Sequence, residues 1–184
     1  MEFYITGFKP FKGRPNNGSE TLVNSLRACP GLGHVNFKVL DVAWESFDAF
    51  FRELEGVDLA GIIGFGEGKE PTIVIERVGH NLSSGIDEFG VSKEEEAING
   101  EWAPTNASRI RIPPGGHLAV AESSDAGRFL CNYELFHINA LDVATSAFIH
   151  LPVQQDMADD EYVALWQPTI LEIVHHNFAL AGKA

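Results

Sequence analysis

Short apolar runs rich in β-branched and aromatic residues alternate along this chain with segments of helical periodicity. No other feature narrows the fold so far. The runs cover residues 2–6, 36–43, 58–64, 72–79, 117–122 and 146–151, and runs of this length and composition read as strands. Between them, 19–28 opens on Ser19, a good helix-capping residue, and 45–55 carries Phe47, Phe50, Phe51 and Leu54 at helical spacing. Residues 127–143 follow a small Ala126-Gly127 turn, and 160–180 reads as a long helix kinked at Pro168. Strands alternating with helices predict an α/β fold. The expected form is a three-layer α/β/α sandwich on a largely parallel mixed sheet. No repeat, low-complexity tract or linker divides the chain, so residues 1–184 are expected to form a single domain. The stretch 83–116 is rich in Gly, Pro, Ser and acidic residues and lacks periodicity. It reads as a long irregular excursion, which in a compact domain is often functional.

Composition removes several classes of partner. A hydrophobic content of 45% marks a globular chain. A net charge of -13 argues against nucleic acid and against an anionic membrane, since both require clustered Lys and Arg. No apolar run reaches transmembrane length, and MEFYITGF lacks the basic and long apolar regions of a signal peptide. The two cysteines, Cys29 and Cys131, suit reduced thiols in the cytoplasm better than a disulfide framework. GFGEG (64–68) lacks the spacing and ending of a phosphate loop, and the EEE run at 94–96 reads as a solvated charge run. His175 and His176 have no third ligand at suitable spacing, so neither a metal nor another cofactor is expected.

The candidate chemistry centres on Cys131. Taken alone, a cysteine is most simply a small buried hydrophobe. In SSDAGRFLCNYELF (123–136), however, Cys131 falls in the first turns of a helix, where free N–H groups and the helix dipole favour thiolate over thiol. Two further groups join it where active sites of open α/β sheets gather, at the carboxyl ends of strands. His150 closes the run SAFIHLP, and Glu76 lies in the apolar TIVIERV. A carboxylate there is costly without a partner, and Arg77 is a poor one because neighbours on a strand point to opposite faces. Nucleophile, base and orienting carboxylate together follow the logic of a catalytic triad.

Four segments then resemble, in order, the pyroglutamyl peptidase (pyrrolidone-carboxyl peptidase) family of cysteine peptidases. TGFKPF (6–11) resembles the family's TGFxPF loop, and ERVGHN (76–81) its glutamate motif. SSDAGRFLCN (123–132) resembles its cysteine motif, and FIHLP (148–152) its histidine motif. The resemblance implies Cys131 as nucleophile, His150 as general base and acid, and Glu76 as the group that orients His150. It also implies that Phe8 and Phe11 hold the lactam ring, for which aromatic faces are physically suited.

The chain departs from the family pattern in places. Where the family has a GQAGGR-like loop, this chain reads GFGEGKEP (64–71), so Gly66 stands in the place of a glutamine. RIRIPPGGH (109–117) replaces a whole helix, since Pro-Pro-Gly-Gly cannot lie inside one. The implied function is a divergent cysteine peptidase that removes N-terminal pyroglutamyl groups from peptides, with a peptide or small amide as substrate. The alternatives are a cysteine amidohydrolase of the same fold acting on another small acyl or lactam group, or a catalytically silent binding relative. A homo-oligomer is compatible with the residues, which do not decide it.

Overall fold

The computed structural model describes residues 1–100, 106–113 and 120–181. In chain order the elements are β1 (Glu2–Phe8), α1 (Gly18–Arg27), β2 (Val35–Leu40), α2 (Trp44–Glu53), β3 (Leu59–Gly68), β4 (Ile73–Glu76) and β5 (Val78–Gly79). They continue with β6 (Ser83–Ile86), β7 (Ser92–Glu96), β8 (Asn106–Ala107), β9 (Val120–Ser123), α3 (Leu130–Ala140), β10 (Thr145–Pro152) and α4 (Asp159–Ala181). Six strands form one sheet in the order β2-β1-β3-β10-β4-β9. β2, β1, β3 and β10 run parallel, and β4 and β9 run the opposite way.

The sheet is covered on both faces, which explains why β3 and β10 read as nearly unbroken apolar runs. On one face Leu22, Val23 and Leu26 of α1 and Ile170, Ile173 and Val174 of α4 pack on Ile5, Ile63, Phe65 and Ile149. On the other, Trp44, Phe47 and Phe50 of α2 and Leu130, Tyr133 and Leu135 of α3 pack on Phe8, Ile62 and Phe148. This is the expected three-layer sandwich on a mixed, mostly parallel sheet.

Several expected boundaries differ. The 72–79 run is two strands, β4 and β5, divided at Arg77. Arg77 there turns to Glu122 and to the Ile110 carbonyl. α3 starts at Leu130, after a turn in which Gly127 takes a positive φ of 80° and donates its N–H to Asp125. α4 runs without a break through Pro168. The 83–116 excursion contains order of its own. β6 and β7 pair as an antiparallel hairpin, and β8 pairs with β5. Beyond the end of β4, Arg109 takes a place beside β10, exchanging backbone hydrogen bonds with Ser146. Residues 117–119 of the expected 117–122 strand, and 114–117 of the Pro-Gly segment, lie outside the described residues; Val120–Ser123 is β9.

Candidate active site

His150 comes from the carboxyl half of β10 and Glu76 from the end of β4. The strands are antiparallel, with Glu76 opposite Phe148. Positions 148 and 150 share a face, so Glu76 and His150 are diagonal neighbours within reach of long side chains. His150 Nδ1 lies 2.8 Å from Glu76 Oε1. Because β4 runs against β10, Glu76 approaches the imidazole from deeper in the sheet, not from the carboxyl edge where His150 sits. Glu76 is 3% exposed, and its Oε2 is buried without a hydrogen-bond partner among the described residues.

Cys131 is the second residue of α3, and it lines the same cleft as His150 and interacts with its ring electrostatically. Nδ1 is engaged with Glu76, which leaves Nε2 for the sulfur. Burial disfavours a charged ring here, but Cys131 and then Glu76 outweigh it, and the His150 pKa is pushed up to about 10. The imidazole therefore holds its proton at neutral pH. No side chain caps the start of α3, since its N-cap residue is Phe129. The N-cap side chain therefore does not occupy the first-turn N–H groups beside Cys131.

The sulfur and imidazole open into a cleft of about 640 Å³, lined also by Thr72, Val74, Glu122 and Asp125. Phe8 and Phe11 are not among its lining residues. Phe8 is 4% exposed and packs against Phe47 and Phe148, with ring centroids 5.1 and 6.2 Å away. Phe11 is half-buried, with the Lys12 ammonium 5.6 Å from its ring centroid. Phe148 connects this aromatic group to the site, because its ring stands edge-on to His150 at 5.2 Å.

Gly66 has a steric cause. A Cβ there would lie 2.7 Å from the Phe148 ring and 3.1 Å from Cys131 Sγ. The sulfur and ring occupy the volume that a glutamine side chain would need. Its neighbour Glu67 faces the other way. The carboxylate pairs with Arg14 and accepts from the N–H groups of Gly18 and Gln154, each at 2.8 Å.

Sequence reasoning missed that anchor, along with two residues of α3. Asn132 is fully buried and holds the loop after β5 through the His80 N–H and the carbonyls of His80 and Leu82. Glu134 is fully buried beside Thr6. Its signal was legible, because LCNYELF places one carboxylate within an apolar helical stretch.

The fold and these groups define a class: an α/β protein with a thiol, an imidazole and a carboxylate in series at one cleft. Residues 1–173 match the family model described as pyroglutamyl peptidase, and the chain belongs to that family. It is similar to the pyrrolidone-carboxylate peptidase of Staphylococcus aureus, 25% identical over 86% of this chain and 82% of that protein. It is also similar to that of Chromobacterium violaceum, 28% identical over 84% and 79%. Among solved structures, a mutant pyrrolidone carboxyl peptidase from Pyrococcus furiosus covers 100% of this chain and 99% of its own, at 25% identity and a TM-score of 0.78. The Thermococcus litoralis enzyme has the same fold at 20% identity and a TM-score of 0.78, covering 97% and 95%.

Proposed function

We propose that this chain is a cysteine peptidase that removes N-terminal pyroglutamyl groups from peptides, with Cys131 as nucleophile, His150 as general base and acid, and Glu76 as the group that orients His150. One observation carries the reading: a single imidazole bonds the buried Glu76 through Nδ1, and Cys131, whose charge favours the protonated ring, lines the same cleft. With the proton on His150, the Cys131 thiolate attacks the pyroglutamyl carbonyl carbon. The oxyanion that forms is stabilised by the free N–H groups at the start of α3, each worth roughly 3–4 kcal/mol when aligned. His150 then gives its proton to the leaving amine, and the C–N bond breaks to leave a thioester on Cys131. Water attacks the thioester as His150 takes its proton, the C–S bond breaks, and pyroglutamate leaves with the thiolate–imidazolium pair restored.

Phe8 and Phe11 are assigned to the lactam ring on the family resemblance, with Phe11 half-buried and Phe8 packed behind Phe148. Both thiols are free, which fits a reducing compartment such as the cytoplasm. Among the described residues no helix is long and apolar enough to cross a membrane. A second reading, a thiol amidohydrolase for another small acyl or lactam group, is favoured by the absence of any side chain at Gly66.

The test is a panel of pyroglutamyl, prolyl and aminoacyl chromogenic amides. Pyroglutamyl turnover should vanish in Cys131→Ala and His150→Ala and persist at a reduced rate in Glu76→Gln. Turnover of another member alone would select the amidohydrolase. No turnover of any, with Cys131 alkylated no faster than Cys29, would leave a silent binding protein. Cys29 is the internal reference because burial pushes its thiol pKa up.

A further inference from the structure

Two glycines on β3 receive two side chains of α3. Gly64 and Gly66 lie two residues apart and so share a face. Cys131 and Glu134 lie three apart, one above the other on a helix. A Cβ on Gly66 would meet Cys131 Sγ at 3.1 Å, and one on Gly64 would meet the Glu134 carboxyl carbon at 2.9 Å. α3 therefore stands on the sheet at two points, the nucleophilic sulfur and a carboxyl one turn below it. The carboxyl is fixed by the Thr6 hydroxyl, and Thr6 is the register partner of Gly64 on the neighbouring strand.

Glu134 is an odd choice for packing alone. It is fully buried, and among the described residues its Oε2 lacks a hydrogen-bond partner and no cation pairs with it. An apolar residue of that size would avoid the cost of burying a carboxyl.

We propose that Glu134 is a positioning residue: held by Thr6, its carboxyl sets the depth at which α3 seats Cys131 against Gly66 and His150. This rests on Cys131 being the nucleophile. Burial pushes the Glu134 pKa up to about 8, opposed only by the Thr6 hydrogen bond. The other titratable groups on the surrounding elements are Cys131, Tyr133 and His137 on α3, Glu2 and Tyr4 on β1, Glu45, Asp48, Arg52 and Glu53 on α2, Glu67 on β3 and His150 on β10; none contributes to that shift. The neutral carboxyl is the form that fits. Ionisation places an unpaired charge under α3, and the seat of Cys131 loosens.

The test compares the wild type with Glu134→Gln, which keeps the shape and cannot ionise, from pH 6 to 9.5. The first readout is the alkylation rate of Cys131 by iodoacetamide, followed by mass spectrometry, which needs no substrate. The second is kcat and KM on a chromogenic pyroglutamyl amide. In the wild type both the alkylation rate and kcat should break near pH 8. Relative to its value at pH 7, kcat should fall about tenfold by pH 9, following the neutral fraction of a group with a pKa of about 8, with KM unchanged. In Glu134→Gln the break should be absent up to the limit set by His150 near 10. Thr6→Val, which removes only the hydroxyl, should lower kcat severalfold at pH 7 without raising KM. Superimposable alkylation profiles for the wild type and Glu134→Gln would overturn the proposal, as would full kcat in Thr6→Val. If the pyroglutamyl amide is not turned over, the substrate assignment fails, while the alkylation profiles still decide the role of Glu134.

Discussion

At position 66 the molecule has no room for a side chain. The Phe148 ring is fully buried and cannot swing aside, and Cys131 Sγ closes the other side. Reinstating a glutamine there is therefore expected to damage the site, not to restore a lost contact. Gly66→Ala and Gly66→Gln should each lower kcat by at least about tenfold, since a displacement of 1 Å in a catalytic group costs on the order of 100-fold. Steady-state kinetics with alkylation of Cys131 would check this; a faster Gly66→Gln enzyme would contradict it. Cys131, His150 and Glu76 were each legible as residue types in strand and helix contexts, and the structure brings them together. What counting along the chain could not supply is why position 66 is empty, because the reason is a ring from β10, far away in sequence. Glu67 shows the same limit. Its charge was visible, but strand alternation alone does not say which buried partners await on the far face.

Elements were most legible where local pattern and tertiary demand agree. β1, β3 and β10 are apolar runs buried on two faces, and α1 and α2 carry apolar residues at helical spacing, so period and burial point the same way. The hairpin of β6 and β7 was missed because SKEEE has almost no strand preference. Distant contacts hold it instead. The Asp87 carboxylate accepts from the N–H groups of Trp44, Phe89 and Val91, and the Trp44 indole donates to the Val91 carbonyl. The Lys93 ammonium sits 4.8 Å from the Trp44 ring and 4.5 Å from that of Tyr133. The exposed glutamates of β7 are solvated as expected, yet they belong to a strand. Glu67 is a comparable tie between elements, joining the end of β3 to the start of α1 and to the segment after β10. Glu67→Ala should destabilise the fold by about 2–3 kcal/mol, the scale of hydrogen bonds to a charged group. For a chain of this size that lowers Tm by about 4–12 °C. Thermal denaturation followed by circular dichroism would measure it, and an unchanged Tm would refute the anchor.

For the whole molecule, the three layers followed from the alternation of elements, while the strand order did not. Alternation does not say that β4 and β9 reverse direction, nor that β10 separates β3 from β4. Those choices are made by which apolar faces close on one another. All six strands share one sheet, with a core on each face, so one cooperative calorimetric transition is expected, with calorimetric and van't Hoff enthalpies in agreement. Two resolved transitions would show that residues 1–184 are more than one folding unit. The central place of β10 also bears on how the protein is made. β3 and β4 are synthesised long before β10, and until it arrives each presents an open apolar edge of the kind that pairs with other chains. The sheet is completed by the insertion of the strand that carries His150, so under the proposed mechanism the maturing chain gains hydrolytic power only when its architecture closes.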